Sequence, residues 1–201
     1  MKCLKHVNSY IGVNTYLVGD DTCYIIDPGS DGKVIAKKVQ ENFKGVKAIL
    51  LTHAHIDHIL SVDYLADLFH CPIYLHSGDL EYVNGSYSSN YMIRDFLVEI
   101  KSPISDVLTL NDPNIRIYET PGHSKGSVCF HFLKEKLLFT GDTLFAFSIG
   151  RVDLPGGSQK EMWASLRFLK TLDDDLIVHP GHEESSSIGL EKKRNYYLSK
   201  V

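Results

Sequence analysis

The sequence has few cysteines and no excess of positive charge. Its cysteines are Cys3, Cys23, Cys71 and Cys129, and no two of them form a C-x-x-C pair. We therefore expect buried free thiols in a reducing compartment rather than a disulfide framework. The formal net charge of -4 argues against nucleic acid as a partner.

Signals for export and for membrane insertion are also missing from the sequence. The amino-terminal stretch MKCLKHVNSY has no apolar run after its lysines, as a signal peptide would. No stretch approaches the ~18 apolar residues that a membrane span requires. We therefore expect a cytoplasmic protein without membrane contacts. A chain of 201 residues is long enough to bury a large core without disulfides.

Strand and helix patterns alternate along the chain. β-Branched and aromatic residues at 13–18 and 22–26 predict a hairpin. Short apolar runs predict further strands at 46–51, 72–75, 106–110, 115–118, 127–132, 136–140 and 176–179. Apolar residues at helical spacing predict helices at 31–43, 59–69, 158–170 and 186–198. Asp57 is placed to cap the helix at 59–69. No repeat or linker divides residues 1–201, so we expect one catalytic domain with an α/β fold of sheets covered by helices.

Residues 83–97 interrupt this alternation. The segment is polar, rich in Ser, Tyr and Asn, and has neither helical nor strand periodicity. Long loops without regular structure often act as lids over functional sites. We therefore predict a flap beside the site, with Tyr87 and Tyr91 as candidate substrate contacts. A packed surface excursion of the chain is the alternative.

The positions of the ten histidines indicate a metal site. The apolar strand at 46–51 is followed at once by the motif His53-x-His55-x-Asp57-His58. In an extended segment, side chains two residues apart point the same way, so His53 and His55 can hold one ion together. A helical turn that begins at Asp57 would carry Asp57 and His58 towards a neighbouring position, where a second ion can be bound.

Further ligands are needed, because each ion takes about four donors and a catalytic site leaves one position for water. Three candidates lie in loops just outside predicted strands, each directly after a glycine: His123, Asp142 and His182. Glycine lets the backbone come close to a crowded site. A carboxylate has two oxygens, so Asp142 suits a bridge between two cations.

Several residues near these segments have open roles. Asp27 precedes a turn and is either a turn residue or a support for the metal-binding histidines. Arg151 is either a surface arginine or a substrate anchor. His76 and His179 lie near the motif loops and are candidates for supporting the ligands. The remaining histidines are expected to belong to no site: His6, His70 and His131.

The ligand-type segments, in this order, resemble the metallo-β-lactamase superfamily over about residues 14–198. Within it, segments 25–29, 120–124, 141–145 and 149–153 are similar to glyoxalase II-like hydrolases of the short, bacterial-type branch. The resemblance implies a four-layer αββα sandwich. It also implies a two-metal site with Asp142 as the bridge: one ion on His53, His55 and His123, the other on Asp57, His58 and His182.

The implied chemistry is hydrolysis of an acyl thioester, such as S-lactoylglutathione, by hydroxide bound to two metal ions. Asp57 and Asp142 are the candidate catalytic residues, and Asp57 is expected to orient the attacking hydroxide. Imidazole and carboxylate ligands without thiolate suit zinc, iron or manganese, and zinc is the first choice. Two cations, two ligand carboxylates and one hydroxide leave a charge of about +1, which favours a small anionic substrate.

Two alternatives to this interpretation stay open. A lactone is an alternative substrate, because full-length glyoxalase II binds glutathione with a helical carboxyl-terminal domain. Here the chain ends after one more predicted helix, whose positive charges are Lys192, Lys193 and Arg194. Persulfide dioxygenases are relatives that use a single iron and share the Gly-Arg-x-Asp stretch at 150–153. In that case Asp57 and His182 would matter less for metal binding.

Overall fold

The structure is a computed structural model, and it describes residues 1–84 and 99–201. The chain divides into two compact units, Met1–Leu110 and Asn111–Val201. In the part of the chain that is described, no helix is long and apolar enough to span a membrane. Most of the predicted flap, including Tyr87 and Tyr91, lies outside the described residues.

The first unit contains a mixed sheet whose strands are hydrogen-bonded in chain order: β1 (Lys2–Val7), β2 (Asn14–Gly19), β3 (Thr22–Ile26), β4 (Gly45–Leu50), β5 (Ile73–Leu75) and β6 (Ile104–Asp106). The first three strands are antiparallel, and β3 to β6 are parallel. The helices of this unit are α1 (Gly32–Asn42), α2 (Ile56–Ile59) and α3 (Val62–Phe69). Ile35 of α1 and Leu65 of α3 are fully buried against Leu17, Ile25 and Ile49 of the sheet, because helical spacing gathers such residues on one face.

Three parallel strands of this sheet lead into loops at the same edge. β3 ends just before Asp27, β4 just before the segment 51–55, and β5 just before the 3₁₀ turn Ser77–Tyr82. The carboxyl ends of neighbouring parallel strands meet at one edge of a sheet, which is where open α/β sheets form their sites. The topology of the first unit therefore brings these three loops together.

The second unit contains another sheet, with strands β7 (Ile115–Glu119), β8 (Val128–Phe132), β9 (Leu137–Gly141), β10 (Ile177–Pro180) and β11 (Ser186–Ser187). These strands are hydrogen-bonded in the order β11-β10-β9-β8-β7. Its helices are α4 (Gln159–Leu169) and α5 (Ile188–Arg194). Strands β9 and β10 are parallel, and β7 and β9 are both antiparallel to β8. The carboxyl ends of β7, β9 and β10 therefore share one edge. Met162, Leu166 and Leu169 of α4 pack into the core of this unit with Leu138 and Val178.

The predicted hairpin and most predicted strands and helices match the structure within a few residues. The single helix predicted at 59–69, capped by Asp57, is wrong. Helix α2 begins at Ile56 with His55 as its N-cap, and Asp57 lies inside its first turn without capping it. The helix is interrupted between α2 and α3 because the backbone N–H of Ser61 donates to the carbonyl of Pro28, 3.1 Å away.

Two further elements differ from the prediction at their ends. The strand predicted at 106–110 is wrong, because β6 ends at Asp106 and a carboxylate oxygen of Asp106 accepts from the backbone N–H of Leu108, which begins a 3₁₀ turn. The helix predicted at 186–198 is shorter. Its first two residues pair with β10 as β11, and the hydroxyl of Ser187 caps α5 by accepting from the N–H of Leu190.

Candidate metal centre

Three imidazoles and a carboxylate gather where β4 ends and α2 begins. The rings of His53 and His55 are 4.8 Å apart between centroids, and those of His53 and His58 are 4.1 Å apart. All three histidines are buried. A carboxylate oxygen of Asp57 lies 3.8 Å from Nε2 of His58. We call these four residues the first-unit cluster.

Asp27 supports the first-unit cluster from the end of β3. One of its oxygens accepts from the backbone N–H of Thr52 at 2.8 Å. The other accepts from the Thr52 hydroxyl at 2.6 Å and from Nδ1–H of His58 at 3.0 Å. Donor atoms of Asp27, His53 and His58 lie within 4.8 Å of one another, but the Asp27 oxygen nearest His58 already accepts two hydrogen bonds, one of them from His58 itself. Asp27 is therefore a support for the histidines, which decides between its two predicted roles.

These hydrogen bonds fix the tautomers of two histidines. The Thr52 hydroxyl has one hydrogen, which it donates to Asp27, so it accepts from Nδ1–H of His53 at 3.1 Å. Nδ1 of His58 likewise donates to Asp27. Both rings therefore carry the lone pair on Nε2, the atom that can bind a metal.

A second buried carboxylate, Asp79, was missed by the sequence reasoning. It lies on the 3₁₀ turn Ser77–Tyr82, is fully buried, and accepts from the backbone N–H of Ala54 at 3.0 Å. Ala54 separates His53 from His55, so Asp79 fixes the extended backbone between them. The contact spans 25 residues, and no local pattern in the sequence indicates it.

Asp142, His123 and His182 come together at the edge of the second sheet. One oxygen of Asp142 lies 3.5 Å from Nε2 of His123 and 3.6 Å from Nε2 of His182. Nδ1–H of His123 donates to the backbone carbonyl of Arg151 at 2.7 Å, so its lone pair is on Nε2, which lies towards Asp142. The ring of Phe145 lies edge-on to His182, with centroids 5.9 Å apart. We call Asp142 and the two histidines the second-unit cluster.

Two glycines make the second-unit cluster sterically feasible. A Cβ on Gly150 would lie 1.9 Å from the backbone carbonyl oxygen of Asp142 and 3.0 Å from Nδ1 of His123. Gly122 has a φ of +142°, and a Cβ there would lie 2.5 Å from the backbone of Met162. Any side chain at Gly150 would separate its loop from the loop of Asp142, and any side chain at Gly122 would separate the His123 loop from helix α4.

Residues 122–126 read GHSKG and match the G-x-S-x-G pattern of serine hydrolases, which the sequence reasoning also overlooked. That pattern marks a nucleophile when the serine lies on a turn between a strand and a helix. Here the segment connects the antiparallel strands β7 and β8. Ser124 is buried and its hydroxyl lies 2.7 Å from that of Ser127, within the same turn. The geometry is that of a turn residue.

Arg151 and the other histidines make well-defined contacts. The guanidinium of Arg151 forms two hydrogen bonds of 2.7 Å with the carboxylate of Asp153, which hold the pKa of that carboxyl at about 2. Its role as a substrate anchor stays a prediction. Nδ1 of His76 accepts from the N–H of Gly78, and the ring of His179 stacks on Phe139 at 5.1 Å. The first is a hydrogen bond within one turn, and the second is a ring contact between neighbouring strands.

The donor set fits divalent transition metals. The two clusters offer imidazole nitrogens and carboxylate oxygens, which suit zinc, iron or manganese. Burial raises the pKa of the Cys23 and Cys129 thiols to about 12 each, which disfavours the thiolate form at these two positions. The expectation of buried free thiols is confirmed for Cys23, Cys71 and Cys129, whereas Cys3 is only partly buried.

Comparison with known sequences identifies the family. The sequence model described as the metallo-beta-lactamase superfamily matches residues 10–182. The chain belongs to this superfamily. It is 37% identical to a probable metallo-hydrolase of Streptococcus pyogenes serotype M6, over 98% of this chain and 90% of that one. It is 32% identical to the hydroxyacylglutathione hydrolase GloC of Haemophilus influenzae, over 92% of each chain.

Solved structures agree with this membership. The BLEG-1 B3 metallo-beta-lactamase matches with a TM-score of 0.91 and 32% identity, over 98% of this chain and 100% of that one. TTHA1623 in a di-iron-bound form matches with a TM-score of 0.87 and 32% identity, over 96% and 99%. The predicted α/β metallo-β-lactamase fold is confirmed. The protein is a metallo-hydrolase of this superfamily, and its histidine and aspartate side chains suit two divalent metal ions.

Proposed function

We propose that the protein hydrolyses small anionic acyl thioesters, such as S-lactoylglutathione, at a centre of two divalent metal ions. The observation that carries the proposal is the shared tautomer of His53, His58 and His123. Each uses Nδ1 as a hydrogen-bond donor and keeps the lone pair of Nε2 for a metal. The 32% identity to a hydroxyacylglutathione hydrolase supports the thioester as substrate.

The proposed centre combines the first-unit cluster with the second-unit cluster. Asp142 would bridge the ions, which is supported by its oxygen lying at nearly equal distances from His123 and His182, two histidines assigned to different ions. Zinc is the proposed metal, with iron as the alternative because one similar structure is a di-iron form. The ligands divide between the ions as follows: His53, His55 and His123 on one, Asp57, His58 and His182 on the other.

When bound, two such ions would lower the pKa of water and polarise the acyl carbonyl. We assign to Asp57 the orientation of the attacking water. Its side chain remains 14% exposed, whereas the neighbouring His58 is fully buried, so Asp57 is the more accessible group. Asp27 and Asp79 hold the backbone on either side of His53 and thereby keep the ligands in place before substrate binds.

A positively charged group outside the ligand set can also attract an anionic substrate. Arg151 is the candidate, because its backbone supports His123 and its side chain is more than half exposed.

β-Lactam hydrolysis is a second candidate function. It is favoured by the similarity to the BLEG-1 B3 metallo-beta-lactamase, at a TM-score of 0.91 and 32% identity. A β-lactam, like a thioester, presents an acyl carbonyl to an activated water, so the same residues would serve both reactions. The two candidates differ in whether the substrate releases a thiol.

The test is a substrate panel with zinc-loaded and iron-loaded enzyme. We would measure free thiol from S-lactoylglutathione, oxygen uptake with glutathione persulfide, and ring opening of a lactone and a β-lactam. Thiol release with zinc and without oxygen is the expected result. Oxygen uptake with iron and persulfide alone, without thioester cleavage under any metal, would establish the dioxygenase instead. Ring opening of the lactone or the β-lactam without thiol release would replace the thioester. The Ser124→Ala variant should keep the activity, because no serine nucleophile is proposed.

A further inference from the structure

The second unit contains a pocket of about 280 Å³ beside the loop that supports His123. Its wall includes Arg151, whose backbone carbonyl accepts from His123 and whose side chain is 54% exposed. Helix α4 contributes Met162, which is almost completely buried, and Trp163. Tyr197 closes the wall from the carboxyl-terminal segment of the chain.

The residues that line this pocket include two aromatic side chains and an arginine. The rings of Trp163 and Tyr197 are 6.2 Å apart between centroids and tilted by 34°. Aromatic side chains of this kind bind flat apolar groups by dispersion and ring contacts. Gln159, also in the wall, adds an amide that can both donate and accept hydrogen bonds. A ligand that matches these groups has an apolar body and a negatively charged end.

The Arg151–Asp153 pair indicates which chemical group the charged end of the ligand would be. Both guanidinium hydrogen bonds go to one carboxylate, at 2.7 Å each, in the two-pronged geometry that arginine forms with carboxylates. Asp153 is 66% exposed and Arg151 is 54% exposed. Water competes for both partners of an exposed ion pair, which weakens even a two-pronged one. A carboxylate supplied by a ligand can therefore replace that of Asp153.

We propose that this pocket binds a small aryl or alkyl carboxylate, whose charged end displaces Asp153 from Arg151 and whose apolar body lies against Trp163 and Tyr197. Asp153 is then an internal competitor that sets the affinity of the pocket for anions. The proposal does not require thioesterase activity. If the proposed function also holds, this pocket receives the anionic part of the substrate that does not react.

Trp163 is the only tryptophan of the chain, so its fluorescence reports on the pocket directly. We would titrate the whole protein with benzoate and with neutral benzamide, and confirm the affinities by calorimetry. Wild-type protein should bind benzoate more tightly than benzamide. The Asp153→Asn variant should bind benzoate about two- to fivefold more tightly, the range expected from removing an exposed ion pair. Its affinity for benzamide should not change.

Two further variants complete the design. Arg151→Gln should lower benzoate affinity to that of benzamide. Asp175→Asn removes the exposed partner of Lys136 in the same unit and changes the net charge by the same amount, so it should leave both affinities unchanged. The proposal is overturned if Asp153→Asn acts no differently from Asp175→Asn, if benzamide responds as benzoate does, or if neither wild type nor Asp153→Asn binds benzoate.

Discussion

The two clusters are built from different kinds of support. The first-unit cluster comes from six consecutive residues, and side-chain carboxylates, Asp27 and Asp79, hold it in place. The second-unit cluster comes from three separate loops, and a backbone carbonyl together with close glycine contacts holds it in place. In this protein, side chains distant in sequence support the compact motif. The dispersed ligands are supported by the backbone of the loops around them. The two clusters should therefore respond differently to mutation.

The strongest test of the comparison concerns the proposed bridge within the second-unit cluster. Asp142→Ala should lower kcat/KM for the accepted substrate by roughly 10³-fold, and His182→Ala by much less, because Asp142 would contact both ions and His182 only one. Losing the bridge also removes negative charge from between two cations. Kinetics at matched metal occupancy checks this. Equal losses for the two variants would count against the bridge.

Asp27→Asn should weaken metal binding by roughly 10- to 100-fold. Asparagine tolerates the φ of +50° found at Asp27. Asparagine, however, has one acceptor oxygen, so in either orientation its NH2 faces a donor: the backbone N–H of Thr52, or the Thr52 hydroxyl together with Nδ1–H of His58. Either the backbone before His53 or the ring of His58 would then lose its support.

The matched variant in the second unit is Arg151→Ala, because the group that supports His123 there is a backbone carbonyl. Competition with a chelator, followed by elemental analysis, gives the metal affinity of both variants. Arg151→Ala should retain wild-type metal affinity. If both variants lose metal to the same extent, the difference between side-chain and backbone support does not exist.

Gly150→Ala should reduce activity by about tenfold, as displacement of catalytic groups by a fraction of an ångström does. The new Cβ would lie 1.9 Å from the backbone carbonyl oxygen of Asp142, so the two loops must separate. Gly45→Ala is the control, since its nearest atom is 4.0 Å away. Wild-type activity in Gly150→Ala would show that the loops of the second-unit cluster can adapt.

The contrast between the clusters also explains what could be predicted from sequence. The His53-x-His55-x-Asp57-His58 motif can be recognised in the sequence because its ligands lie close together in the chain. The residues that support it cannot be recognised in this way, because Asp79 is 25 residues from Ala54 and Asp27 is 31 residues from His58. The helix break at Ser61 likewise depends on a distant turn, where the carbonyl of Pro28 accepts from the backbone N–H of Ser61. Periodicity predicts elements, but long-range hydrogen bonds set their ends.

The smallest expected effect is on thermal stability, and it concerns Asp31, a carboxylate that belongs to neither cluster. Asp31 accepts from the backbone N–H and the hydroxyl of Ser9 and also pairs with His6, and these hydrogen bonds, led by that from the Ser9 side chain, lower its pKa to about 2 from 3.8. A lowered folded-state pKa means that the stabilisation is present above pH ~4 and is lost as the pH falls towards ~2.

Asp31→Asn should therefore lower Tm by a few degrees at pH 6, and the difference from wild type should shrink at pH 2.5. Thermal unfolding of both proteins at the two pH values measures this. Metal affinity at neutral pH should stay unchanged, since Asp31 supports neither cluster. A Tm difference that is the same at both pH values would contradict the assignment.

Metal stoichiometry tests the central claim most directly, namely that the two clusters together hold two ions. Elemental analysis would be made on protein purified without added metal and again after titration with zinc. We expect two metals per chain when the sites are filled, and a fall towards one in the His182→Ala variant. One metal per chain in the wild type, with no second site filled at any zinc concentration, would contradict it.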